Sequence, residues 1–95
     1  MDFREFKSEL TSLIRDISSD DPNWKWRLSK VLKGSAHIEW GYLNYLGETR
    51  NCFIIKYSNE AECFVTYTPN DELIDIADSI EEATMQITHY AHSRY

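Results

Sequence analysis

The chain has 95 residues, 42% hydrophobic and 27% charged, with three Gly and two Pro, a composition that excludes a disordered or low-complexity polypeptide. Its length suits one core without metal or disulfide staples, so residues 1–95 are expected to form a single compact domain. The formal net charge of -6 conceals an asymmetry: nine Lys/Arg and eight Asp/Glu lie between Met1 and Lys56, whereas Tyr57 to Tyr95 holds eight acids and only Arg94.

Phe3, Phe6, Leu10, Leu13, Ile14 and Ile17 recur at spacings of three and four, which predicts an amphipathic helix from Asp2 to Ile17 with Arg4, Lys7, Glu9 and Asp16 in water. Ser18-Ser19-Asp20-Asp21-Pro22-Asn23 then reads as its end. No apolar run reaches the ~18 residues that span a bilayer, and the opening segment is amphipathic where a signal peptide would be apolar. A cytoplasmic location is therefore expected.

Trp24 to Lys33 supports two readings. Trp24, Trp26 and Leu28 alternate with Lys25 and Arg27 as in a strand; alternatively Asp21, Pro22 and Gly34 could cap a helix carrying Trp24, Leu28, Val31 and Leu32 on one side. The aromatic content favours the strand. Gly34-Ser35 reads as a turn, and Ile38, Trp40 and Tyr42 alternate through a strand reaching Leu46, followed by a connection at Gly47 to Asn51.

Cys52 to Tyr57 and Glu62 to Tyr67 read as a hairpin joined by Ser58-Asn59-Glu60-Ala61. A symmetric loop would set Cys52 opposite Tyr67 and Cys63 opposite Lys56, too far out of register for a disulfide, so both thiols are expected to be free. The same alternation puts Phe53, Ile55 and Phe64 on one face and Ile54, Val65 and Tyr67 on the other, which predicts helices over one face and an uncovered, partly apolar second face. Leu73, Ile74 and Ile76 lead to Ser79-Ile80-Glu81-Glu82, a capping box that opens a helix with Ile80, Ala83, Ile87 and Ala91 buried. The expected fold is α+β: an N-terminal helix, an antiparallel sheet of three or four strands and a C-terminal helix, both helices on one sheet face, with Leu10, Leu13, Ile14, Ala83 and Ile87 in the core.

A helix, several strands and a helix is also the outline of a double-stranded-RNA-binding domain, but such domains grip phosphates with a basic second helix. Here that helix carries Glu81, Glu82 and no Lys. The acids Glu60, Glu62, Asp71, Glu72, Asp75 and Asp78, with Tyr67 as an aromatic anchor, point to a non-enzymatic module that binds a basic surface of another protein. Regulators, immunity proteins and phage-type inhibitors that occupy a nucleic-acid-binding groove share this physical type.

Two alternatives follow from other residues. Trp24-Lys25-Trp26-Arg27 with Lys30 and Lys33 interleaves aromatics and cations as single-strand nucleic-acid binders do. A small metal-dependent enzyme would draw on His37, Cys52, Cys63, His89 and His92, or on Asp75, Asp78, Glu81 and Glu82, provided Asp75 and Asp78 share a helical face. Neither set has the spacing of a known metal, cofactor or catalytic motif, so no cofactor is expected.

Overall fold

The computed structural model describes residues 3–20, 24–32, 34–42 and 51–94. In chain order these form α1 (Phe3–Asp20), β1 (Trp24–Leu32), β2 (Ser35–Tyr42), β3 (Asn51–Ser58), β4 (Cys63–Tyr67), β5 (Leu73–Ala77) and α2 (Ile80–Arg94). Each strand pairs antiparallel with its neighbour in sequence, giving a five-stranded meander ordered β1-β2-β3-β4-β5. The class is α+β, with one strand more than expected. The addition is β5, an edge strand whose burial is confined to one end.

The Trp24 to Lys33 ambiguity resolves as a strand, because alternation there separates a core side from a solvent side. Trp26 is buried, while Lys25, Arg27 and Lys30 are exposed. A bulge at Ser29 shifts the phase, so that Val31 follows Leu28 onto the core side. The predicted extension of β2 to Leu46, the connection at 47–50 and the loop at 21–23 lie outside the described residues.

Helix α1 continues through Ser18, Ser19 and Asp20, which were expected to end it. The Ser18 side chain is committed to a long-range contact. Its Oγ accepts the Trp26 amide at 2.8 Å and lies 3.0 Å from the Trp26 carbonyl oxygen, to which it donates. It thereby satisfies an outward-facing pair of backbone groups on edge strand β1.

Both helices pack on the same face of the sheet, α1 against β1 and α2 against β4 and β5, and they touch each other. Phe6, Leu10 and Ile14 from α1 meet Ile38, Phe53, Ile55 and Phe64 from the sheet and Ile80, Ala83, Ile87 and Ala91 from α2 in one core. Each large apolar side chain so buried contributes about 1.5–3 kcal/mol. Leu13, expected inside, is only half-buried, because it sits at the margin of the α1 stripe while Leu10 and Ile14 occupy its centre.

The β3–β4 hairpin has a different register from the symmetric one. Ser58 pairs with Cys63, Lys56 with Val65 and Ile54 with Tyr67, so the loop is Asn59 to Glu62 and Cys63 does not face Lys56, nor Cys52 Tyr67. The cause is local: Ser58 Oγ accepts the Ala61 amide, and Glu62 takes a left-handed φ of 52°, closing the turn one residue later. The shift is even, so the faces are preserved, with Phe53, Ile55 and Phe64 inside.

Candidate functional site

The second face of the sheet has no helix over it. The strand registers align two rows across it: Lys30, His37, Ile54, Tyr67 and Leu73 in one, and Ser35, Lys56, Val65 and Ile76 in the other. An antiparallel sheet with one wet face ordinarily alternates apolar inside and polar outside. The β1 side of this face obeys that rule except at Leu32, which pairs with Ser35 and is exposed. Its β4–β5 side does not: Leu73 is 59% and Ile76 is 56% exposed, beside half-buried Ile54, Val65 and Tyr67.

The acids border this apolar patch. Asp71 and Glu72 lie in the turn before β5, Asp75 within it on the side of buried Thr66 and Asp78 just beyond it, so four exposed carboxylates run the length of the sheet edge, Asp75 facing away from the open face. Glu60 and Glu62, also exposed, occupy the β3–β4 loop beside the end of β5, whose Ala77 pairs with Phe64. Asp71 and Glu62 both hold positive φ, 66° and 52°, a conformation that glycine adopts without strain. Tyr67 stands on the open face, half-buried, with the Lys56 ammonium 5.0 Å from its ring centroid. Asp75 and Asp78 do not share a helical face, since one lies in a strand and the other in the bend before α2.

The meander converts the charge asymmetry of the sequence into one in space. The exposed cations Lys25, Arg27 and Lys30 belong to β1 and the acids to β5, at opposite edges of the sheet. Strand spacings of about 4.8 Å place those edges about 19 Å apart. The Debye length at physiological salt is about 8 Å. The basic strand therefore does little to cancel the acidic field.

No known protein family, curated protein or solved structure matches this chain. Its chemistry is read from the residues themselves.

The groups suggested for metal binding are dispersed. His37 and Cys52 sit on the open face, His89 and His92 are exposed on α2 beyond the opposite face, and Cys63 pairs with Ser58 at the far end of β4. Among the described residues no three His, Cys, Asp or Glu side chains converge on a metal-sized site. Of the aromatic-basic segment, Trp26 is core, packed at 6.2 Å from Phe53 between ring centroids, and does not present its ring for stacking on bases. Glu81 and Glu82 begin α2: Ser79 Oγ accepts the Glu82 amide at 3.1 Å, and the Glu82 carboxylate accepts the Asp78 amide at 3.0 Å.

One contact escaped sequence reasoning. Cys52 Sγ lies 3.6 Å from His37 Nδ1, within reach for a nucleophile and its base. Its environment works against that use. Burial and the nearby Glu39 carboxylate push the thiol pKa up, only partly opposed by a hydrogen bond with Ser29. Thiolate is thus scarce near neutrality. Both cysteines are free thiols.

Proposed function

We propose that this chain is a non-enzymatic protein-binding module, and that the apolar β4–β5 part of the open face, with the carboxylates along the β5 edge, docks on a basic surface of its partner. The observation that carries the reading is the placement of exposed Leu73 and Ile76 among Asp71, Glu72, Asp75 and Asp78 on one edge strand. An apolar centre with acids along its β5 edge and Lys56 over Tyr67 on its inner side has the anatomy of a specific interface: the centre supplies affinity and the acidic rim steers encounter. Tyr67 adds an aromatic anchor. A regulator, an immunity protein or an inhibitor occupying a nucleic-acid-binding groove would have this form.

The test separates steering from affinity. With a partner recovered by affinity capture, association and dissociation rates are measured at two salt concentrations. Reversing Asp71, Glu72, Asp75 and Asp78 to Lys should slow association at low salt by tenfold or more. Ile76→Ser with Leu73→Ser should speed dissociation and leave association nearly unchanged. Unchanged rates in both variants would sink the proposal. A nucleic-acid role for the exposed Lys25, Arg27 and Lys30 would show instead as retention on single-stranded nucleic acid that falls steeply with salt.

A further inference from the structure

At the opposite edge of the sheet, α1 and β1 flank an open groove of about 500 Å³. Its position follows from the sequence. Lys7, Ile14 and Arg15 fall on the side of α1 turned toward β1, and Leu28 and Val31 rise from the core side of β1 to meet them. The floor is therefore aliphatic: Ile14 is buried, and Leu28 and Val31 are half-buried. The rim is cationic, with Lys7 and Arg15, both exposed, on the helix; Lys30 borders the cleft on the strand but by register belongs to the open face. Among the described residues no carboxylate lines the cleft.

Arg27, also at the rim, is engaged by Glu39. Among the described residues Lys7, Arg15 and Lys30 have no ion-pair partner. In a chain of net charge -6, a concavity whose unneutralised charges are all positive is a departure from the average surface. A low-dielectric wall on one side of such a concavity focuses the field into it and raises the local concentration of anions. The backbone adds to the polarity. Trp26 turns its amide and carbonyl away from β2, toward Ser18, and the strand period of two turns those of Leu28 the same way, toward the cleft.

We infer that the α1–β1 cleft binds a small amphipathic anion, its tail on Ile14, Leu28 and Val31 and its head at Lys7 and Arg15. A purely polar anion would leave the floor wet, and a neutral apolar molecule would leave the two cations without a counter-charge. The pairing of floor and rim selects a ligand with both parts. This site is at the far edge from the proposed partner surface, so either can fail without the other.

The probe is sodium octanoate, titrated into amide-resolved NMR spectra of the intact chain, with octanamide, sodium acetate and octyltrimethylammonium as controls. Octanoate should give saturable shifts confined to the amides around Lys7 to Arg15 and Leu28 to Val31. The Lys7→Gln, Arg15→Gln variant should bind it at least tenfold more weakly, while its resonances elsewhere stay in place. Leu28→Ser should weaken octanoate and leave the acetate response unchanged. Acetate or octanamide binding as tightly as octanoate would overturn the inference, the first by making the floor irrelevant and the second the rim. Octanoate shifts spread over the open sheet face or absent altogether would overturn it as well.

Discussion

Thr66 shows how much one hydroxyl can organise. It is fully buried on β4, its Oγ1 accepts the Asp75 amide, and it lies 3.1 Å from the Asp75 carbonyl and 3.0 Å from Gln86 Oε1, while Gln86 Nε2 donates to the Ile76 carbonyl. Strand β5 is thus tied to β4 and α2 through hydrogen bonds centred on a buried hydroxyl. Thr66→Val keeps the shape and strands those partners, so it should cost about 1–3 kcal/mol in a denaturant titration. At Cys52 the expected effect is kinetic. Because its pKa is raised in the folded state, alkylation in native protein should lag behind a free thiol near neutral pH and catch up only at alkaline pH. The sign for stability follows: the folded state holds the proton more tightly, so this contribution is complete below the unfolded thiol pKa and is lost as pH rises through the folded one. Thr66 and the Cys52–His37 contact were invisible in the sequence, since each depends on cross-strand register. Tyr67 on the open face was legible, because alternation alone sets its side.

Helix α2 is the element most completely written in its residues, from the Ser79 cap to the stripe Ile80, Ala83, Ile87 and Ala91, every member of which is buried. Ser79→Ala should remove about 1 kcal/mol and lower the melting temperature by about 4–8 °C. Glu62 tests the opposite case. At a φ of 52° Glu62→Gly relieves strain and should be neutral or stabilising by up to about 1 kcal/mol, measured by the same melt. Such a gain would mean that the glutamate is retained for its charge. Strand β5 was not legible because its cues conflict. Leu73 and Ile76 look like core residues but are exposed, and the bulge that inserts Ile74 between the Tyr67 and Thr66 pairings breaks the alternation. The register of β3 and β4 was missed for a related reason: a left-handed glutamate gives no signal in composition. Helix α1 outran its predicted end because Ser18 bonds to a strand that sequence alone does not place beside it.

At the scale of the molecule, the single-sided packing of both helices was readable from the two apolar faces of the hairpin, and the acidic edge from the charge distribution. The separation of acids from cations needed the strand order, since another topology could have set β1 beside β5. That same order has a kinetic consequence. Every strand pairs with its predecessor, so the sheet can assemble by short loop closures, each costing little chain entropy. The packing of α1 on α2 and on β4, by contrast, joins distant parts of the chain. The hairpin of β3 and β4 should therefore be structured early, with α1 docking after the folding barrier. In stopped-flow chevrons, Ile55→Val should mainly slow folding, and Leu10→Ala should mainly accelerate unfolding. The first helix of the chain would then be the last to arrive, and its dwell time on the sheet would set the lifetime of the native state.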